Sequence, residues 1–473
     1  MKIFTILATL WLMICFSTTL SAATSIPLRG IVEGFYGEPW SHAARLEMLR
    51  FCGEQGLNAY IYAPKDDPYH KARWRELYPE AEGKKLRELA ETARQNNVEL
   101  ILALSPGADL AYTGEAATVD RQKMLTKLES LYQIGIRRFA FFFDDIKGMT
   151  EKSSVTAQDG DDQAHFINDL RREFLARHKD VGEFLTVPTE YFLEDMVTSD
   201  GVCKPYTEVF ARELSPEVTV LYTGSGVVPE GIDAAEIKEL NRIYGREVGV
   251  WWNYPVSDYM EDKLALGPVV NLPSTALFSA IFFNPMKHYE LSKIALATGA
   301  EYAMNPSEYE PRLAWRKAIK EEYGKLFPDM SLFAEHSSRM ENSWAHTGLR
   351  DGEILRQEMD GFWEAVKSSD SSLEERRQKL AAHFKTLIDA GENLQANLPP
   401  EILREARPQL NLFVALAKAD LEALELFRPK AQKTTALKAK LMLKAKKFDD
   451  DKQARVSEKT LRAFLDEALK QAH

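Results

Sequence analysis

Two carboxylates stand side by side in this sequence, Asp144 and Asp145, directly behind the apolar run Phe139-Ala-Phe-Phe-Phe143. Neighbouring carboxylates resist simultaneous ionisation, so near neutrality one tends to hold a proton while the other stays charged. That is the division of labour required of one general acid and one electrostatic helper. Oxygen-rich pairs of this kind also suit calcium or magnesium. A single aspartate at the end of a strand is commonly a helix cap or turn former. Charge placed directly after apolar residues is costly to hold near a core unless it has a use or a partner.

Other chemistries find less support. His165, His178 and His288 are scattered, with no His-Glu-x-x-His spacing, and read as surface or structural residues rather than metal ligands. No Gly-x-Ser-x-Gly elbow and no Walker loop is present, which lowers serine-hydrolase and nucleotide-hydrolase readings. The formal net charge of −11 argues against a protein that grips phosphate backbones, so no nucleic-acid partner is expected. Three cysteines in 473 residues exclude a disulfide scaffold and a multi-thiolate zinc module. One of them, Cys15, falls in an expected leader, and nothing in the sequence pairs the other two, Cys52 and Cys203.

The elements that must position the pair are legible as an alternation. Strand-like runs occur at Arg29–Tyr36, Asn58–Ala63, Val98–Leu104, Arg138–Phe143, Phe184–Pro188, Val218–Thr223, Val248–Trp252 and Ala276–Phe283. Helical stretches intervene, such as Lys84–Asn97 with Leu86, Leu89, Ala90 and Ala93 on one stripe, and Arg121–Gly135 with Met124, Leu128 and Leu131. Apolar runs without clean alternation suit parallel strands buried on both faces. Eight such runs over about 280 residues predict an α/β fold, a (β/α)₈ barrel of the TIM type, with a doubly wound open sheet as the structural alternative. The link around Leu266–Thr275 reads as irregular.

Three segments are expected along the chain. Residues 1–23 read as a signal peptide, with Lys2, the apolar run Ile3–Phe16 and a small-residue stretch ending at Ala23. The run is short of the ~20 apolar residues that span a bilayer, so a protein exported to the periplasm or medium is expected, with no membrane contact after cleavage. Residues 24–309 would form the barrel and residues 310–473 an all-α helical bundle. The bundle rests on stripes such as Leu355, Met359, Phe362 and Val366, then Leu380, Phe384 and Leu387, then Leu410, Phe413 and Leu416. Lys430–Lys447 carries seven lysines and no acid; it reads as a solvated helix face with Leu437, Leu441 and Leu443 partly inside.

A barrel builds its active site at the carboxyl ends of its strands. That rule selects Gly34, Tyr36 and Gly37 after the first strand, Lys65, Asp66 and Asp67 after the second, and Asp144 and Asp145 after the fourth. Glu190 and Tyr191 follow the fifth, Thr223 the sixth, Trp251, Trp252, Asn253 and Asp258 the seventh, and Asn284 the eighth. Polar, aromatic and acidic residues recurring at strand after strand weaken a purely structural explanation.

These residues sit in strings that resemble glycoside hydrolase family 84, the β-N-acetylglucosaminidases that include animal O-GlcNAcase and bacterial hexosaminidases. The strings are Gly30-Ile-Val-Glu-Gly-Phe-Tyr-Gly-Glu-Pro-Trp40, Tyr62-Ala-Pro-Lys-Asp-Asp-Pro-Tyr69, Leu104-Ser-Pro-Gly107 and Phe143-Asp-Asp-Ile146. Pro188-Thr-Glu-Tyr191, Tyr222-Thr-Gly224, Trp251-Trp-Asn-Tyr-Pro-Val-Ser-Asp258 and Asn284-Pro285 continue the likeness in order over residues 28–306. Val187 stands where some relatives have cysteine, a change to the pocket wall rather than to the reaction.

The resemblance implies a retaining, substrate-assisted hydrolase without metal or cofactor, acting on terminal β-linked GlcNAc of glycans or glycoproteins through an oxazoline. By position, Asp144 would assist the acetamido N–H and Asp145 would protonate the leaving oxygen. Tyr191 and Asn253 are implied around the acetamido group and Asp144, and Trp251 and Thr223 as walls. The Gly34 carbonyl, Lys65, Asp258 and Asn284 are implied at sugar hydroxyls. Tyr36 and Trp252 can equally be plain packing residues and stand outside this set. An endo-acting, hyaluronidase-like enzyme and a silent glycan-binding module are the alternative functions. The helical region is expected to support the barrel or dock a partner while supplying no catalytic group.

Overall fold

A computed structural model describes residues 25–146, 155–368, 370–428 and 434–472. The expected leader over residues 1–23 and the start of the lysine-rich segment lie outside the described residues.

Eight parallel strands close a barrel in sequence order, each hydrogen-bonded to the next and β1 to β8. They are β1 (Leu28–Glu33), β2 (Ala59–Tyr62), β3 (Glu99–Leu104), β4 (Arg138–Phe142), β5 (Leu185–Val187), β6 (Thr219–Tyr222), β7 (Gly249–Trp252) and β8 (Ala280–Phe283). Closure settles the alternative of an open sheet against it. Helices return the chain between strands: α1 (His42–Glu54), α2 (Glu80–Gln95), α3 (Gly114–Gln133), α4 (Ala157–Arg177), α5 (Leu193–Met196), α6 (Pro205–Glu213) and α7 (Ala234–Tyr244). After β8 comes α8 (Tyr289–Met304). Alternation along the strands divides the core in two. On β4, Ala140 and Phe142 join Val32, Ile61, Ile101 and Leu185 in a cluster that fills the barrel. Phe139, Phe141 and Phe143 belong to the outer core against the helices. Both faces are therefore apolar, which is why the strands read as unbroken runs.

No helix joins β7 to β8; a single 3₁₀ turn, Asp258–Met260, precedes an irregular chain. Much of its backbone finds partners beyond α8. Leu266 N–H donates to the Ser337 carbonyl at 2.7 Å, and the Leu266 carbonyl accepts from Trp315 Nε1 at 2.7 Å. The Gly267 N–H donates to the Tyr254 hydroxyl, which in turn donates to the Ser338 carbonyl.

The chain beyond Glu310 is helical and packs on this flank: α9 (Pro311–Tyr323), α10 (Phe327–Glu335), α11 (Glu353–Ser368), α12 (Leu373–Asn397), α13 (Pro400–Ala423), α14 (Thr434–Asp450) and α15 (Ala463–Gln471). Its stripes merge with the outer barrel core. Arg455 makes two bonds to the Asp262 carboxylate, at 2.7 and 2.8 Å, and Glu405 on α13 accepts the Leu291 N–H at the start of α8 at 3.0 Å. On α14, Leu441 is buried and Leu437 packs partly inside, but Leu443 is exposed, a correction to its expected place. Residues four apart share a helix face, so 437 and 441 coincide while 443, two positions on, turns away. Between α10 and α11 a short hairpin, β9 (Met340–Glu341) and β10 (His346–Thr347), projects towards the barrel mouth. Among the described residues no helix is long and apolar enough to cross a membrane.

One carboxyl in the bundle is buried without a partner among the described residues, a position in which a group neutralises rather than keeps its charge. Asp420 on α13 is fully buried, and neither of its oxygens has a hydrogen-bond partner among the described residues. Burial raises its pKa well above the carboxylate range, against the pull of Arg462 and with the push of Asp466. A group whose pKa rises on folding holds its proton more tightly when folded. Its cost is therefore absent below its unfolded value near ~4 and grows as pH climbs towards the folded value. Asp420→Asn removes that titration. Calorimetry of both proteins should show the variant gaining in Tm relative to the wild type between pH 4 and pH 8; a Tm difference independent of pH would contradict a buried, neutral carboxyl.

Candidate active site

Strand alternation and one unusual backbone angle bring the two acids together. Asp144 continues the inward phase of Ala140 and Phe142, so its side chain enters the barrel mouth. Asp145 would face outwards by the same rule. Its φ of +51°, a left-handed conformation that few residues besides glycine, asparagine and aspartate adopt, accompanies its turn back over the same cavity.

The environments of the pair differ. Asp144 is buried, and its Oδ2 lies 2.5 Å from the ammonium of Lys65, itself buried at the end of β2. Burial works to depress the Lys65 pKa, but Asp144 above all, with Asp145 and Asp258, overcomes it and holds the amine above its usual value. The other oxygen, Asp144 Oδ1, is buried with no donor among the described residues. Asp145 is less enclosed and takes two phenols: Tyr36 Oη donates to Oδ2 at 2.7 Å and Tyr191 Oη to Oδ1 at 3.2 Å. Burial, reinforced by the charge of Asp145, pushes both phenol pKa values far up, so each remains a donor. An ammonium and two phenols are donors, which makes this a poor nest for a cation and a good one for two carboxyls with separate tasks.

The cavity they face has a volume of about 210 Å³. All ten residues singled out from the sequence line it: Gly34, Lys65, Asp144, Asp145, Tyr191, Thr223, Trp251, Asn253, Asp258 and Asn284. Several of them hold one another. Trp251 Nε1 donates to Asn253 Oδ1 at 2.8 Å, Asn284 Nδ2 donates to the same oxygen at 3.0 Å, and Asn284 Oδ1 accepts the Gly34 N–H at 3.3 Å. Asn253 Nδ2 reaches the Val227 carbonyl at 2.8 Å. Asn253 is thus committed to Trp251, Asn284 and Val227, and Tyr191 bonds to Asp145 rather than Asp144. A side chain on Gly34 would collide with the Trp251 ring, so only glycine lets the indole lie over the barrel core, where it meets Phe142 with ring centres 5.4 Å apart. Thr223 Oγ1 donates to the Gly226 carbonyl at 2.8 Å. Asp258 Oδ2 accepts the Tyr36 N–H at 2.8 Å, and burial raises the Asp258 pKa despite that bond.

Tyr36, left outside the set because it could equally pack, belongs to the site: it is 44% exposed, lines the cavity and bonds to Asp145. Trp252, set aside with it, is buried outside the cavity in the outer core. Two other acids at the strand ends are structural. Asp67 takes the hydroxyls of Tyr62 and Tyr78, and Glu190 takes that of Thr207. Trp344 carries no signal in residue spacing. It lies at the tip of the β9–β10 hairpin, lines the cavity and packs on Tyr259 with ring centres 5.1 Å apart. The helical region supplies neither acid, yet it supplies part of the cavity wall. The hairpin is held there by the bond from His346 N–H to the Val228 carbonyl and by Arg339, which grips Glu230 with two bonds of 2.7 Å.

Comparison with known proteins meets this geometry from another side. A family model described as beta-N-acetylglucosaminidase matches residues 29–335, and one described as hyaluronidase post-catalytic domain-like matches residues 354–465. The chain is 33% identical over 285 residues to the protein O-GlcNAcase of Rattus norvegicus, covering 58% of this chain and 30% of that protein. The same figures hold for the protein O-GlcNAcase of Mus musculus. The chain thus spans under a third of the length of these curated relatives. Among solved structures, CpGH84B aligns with a TM-score of 0.87 at 32% identity, covering 94% of this chain and 77% of that one. A mutant of the Thermobaculum terrenum O-GlcNAc hydrolase aligns with a TM-score of 0.81 at 26% identity, covering 93% and 94% respectively.

Proposed function

We propose that this chain, which belongs to the β-N-acetylglucosaminidase family, hydrolyses terminal β-linked N-acetylglucosamine with retention, the substrate's own acetamido group serving as nucleophile. The observation that carries the proposal is the unequal treatment of the two acids: Asp144 is buried on Lys65 with Oδ1 unpartnered among the described residues, while Asp145 is more open under two phenol donors. In the first step the acetamido oxygen attacks the anomeric carbon as the bond to the leaving oxygen breaks. Asp144 Oδ1 accepts the acetamido N–H and stabilises the positive charge that grows there, an interaction stronger in the transition state than in the ground state. Asp145 gives its proton to the departing oxygen. Water then opens the oxazoline at the anomeric carbon, losing its proton to Asp145, and the two inversions leave a β-product.

Lys65, Asn253 and Asn284 act mainly by position. Lys65 fixes Asp144, and the two amides keep Trp251 over the barrel core, where its ring forms an apolar wall for the acetamido methyl. Asp258 is the acceptor near the mouth suited to sugar hydroxyls. The filled barrel beneath Trp251 forms the floor of the cavity. Trp344 and Tyr259 at the rim would meet the group attached to that sugar.

Selectivity tests the nucleophile. An aryl β-glucoside, which lacks the acetamido group, should lose more than about 10³-fold in kcat/KM against the N-acetylglucosaminide, because a whole reaction path disappears. Comparable rates would sink the mechanism. The division of roles is tested by a leaving-group series on two variants. Asp145→Asn should cripple substrates whose leaving alcohol must be protonated and largely spare bond cleavage with acidic nitrophenols. Asp144→Asn should slow good and poor leaving groups by similar factors, on the order of 10²–10³-fold. A steep dependence in Asp144→Asn alone would reverse the assignment.

We also propose export to the periplasm or medium, which rests on Lys2, the apolar run Ile3–Phe16 and the small residues up to Ala23. Mass spectrometry of the exported protein should find its amino terminus close to Ala23; an intact Met1 in that fraction would refute cleavage.

A further inference from the structure

Behind the β9–β10 hairpin lies a second cavity, of about 290 Å³, lined by residues with charged side chains. Its three acidic side chains are already engaged. Glu458 accepts from Lys263 Nζ at 2.7 Å and lies 3.5 Å from Arg455. Glu341 accepts from Lys459 Nζ at 2.6 Å and from Arg339 Nε at 3.3 Å. Asp351 Oδ1 takes the backbone N–H groups of Ser338 and Arg339, at 2.8 and 2.9 Å. Arg339 is further committed to Glu230.

Two cations on the same walls are different. Arg350 and Arg356 line the cavity, and neither has an ion pair or a side-chain hydrogen bond among the described residues. Lys263 on the same wall is 3% exposed and is spent on Glu458, which leaves the two arginines as the cations available to a ligand. Guanidinium groups present planar, bidentate donors that match a carboxylate or a phosphate. Two of them without a partner among the described residues, in a concavity whose acids are each already engaged, make a site for an anion.

We infer that this cavity binds a compact oxyanion group, phosphate or carboxylate, gripped by Arg350 and Arg356. It shares two elements with the catalytic cavity. The hairpin places Arg339 and Glu341 here and Trp344 there, while the turn after β7 places Asp258 and Tyr259 there and leads to Lys263 here. The oxyanion comes from one of two sources: a free small anion, or an acidic group carried on the far side of a substrate whose sugar occupies the catalytic cavity.

Inorganic phosphate is the probe, added to the full chain at ionic strength matched with sodium chloride. Wild-type protein should show a saturable rise in Tm of roughly 1–2 °C, since a ligand that binds only the folded state stabilises it. The double variant Arg350→Gln, Arg356→Gln should show none while keeping its circular dichroism spectrum. Arg350→Gln alone changes an exposed side chain and serves if the double variant folds poorly; it should weaken the phosphate midpoint several-fold. No phosphate-specific shift in the wild type, or the same shift in the variants, overturns the site. A kinetic arm, which rests on the proposed hydrolysis, separates the sources. A several-fold rise in KM confined to GlcNAc substrates with acidic peptide tails assigns a substrate-borne group. Unchanged KM values beside a lost thermal shift assign a free anion.

Discussion

Burying Asp144 at the mouth of a closed barrel takes its charge out of water, and the ammonium of Lys65, 2.5 Å away, makes that position tenable. Neither group could sit there alone: removing one partner of a buried ion pair leaves the other uncompensated, at a cost of about 3–5 kcal/mol. The pair also spends one oxygen of Asp144 and leaves the other, among the described residues, buried without a partner, where a hydrogen bond is worth more than in water. Much of the cavity depends on keeping this arrangement intact. The end of β2 must carry a lysine, the end of β4 must turn inwards, and Trp251 must cover the barrel core below them.

The amide framework around Trp251 answers a second requirement. An indole over a barrel mouth needs its N–H satisfied and its plane fixed. Asn253 does both, and Asn284 links that amide to the backbone of the first strand. The ends of β1, β7 and β8 are thereby tied into one unit, which explains why residues far apart in sequence recur as a set. Their task is largely to position, and the groups left to touch a ligand are fewer than the lining suggests.

What residue order alone reveals divides along physical lines. Strand positions are legible because parallel strands buried on both faces leave continuous apolar runs, and the polar residues after them mark the catalytic rim. All ten residues chosen on that basis and on the family strings line one cavity. Tyr36 stays undecided because an aromatic after a strand looks the same whether it packs or points to the mouth; only the position of its hydroxyl tells. Trp344 stays hidden, since its approach depends on a two-residue-stranded hairpin docking onto the β6–α7 loop, a long-range contact with no periodic signature. The turn of Asp145 is likewise hidden, because one positive φ leaves no trace in residue spacing.

The missing helix between β7 and β8 has a consequence for how the molecule is made. Where other strands are covered by the helix that comes at once after them, this flank waits for Trp315, Ser337 and Ser338, which arrive dozens of residues later. At about 5–20 residues per second of synthesis, the interval is several seconds during which apolar barrel surface and unpaired backbone groups have no cover. The nascent chain is therefore most exposed to aggregation when the barrel strands are complete and the bundle is not. A chaperone acting on this protein would find its binding window there, and a stalled or truncated product ending near residue 310 would keep that window open.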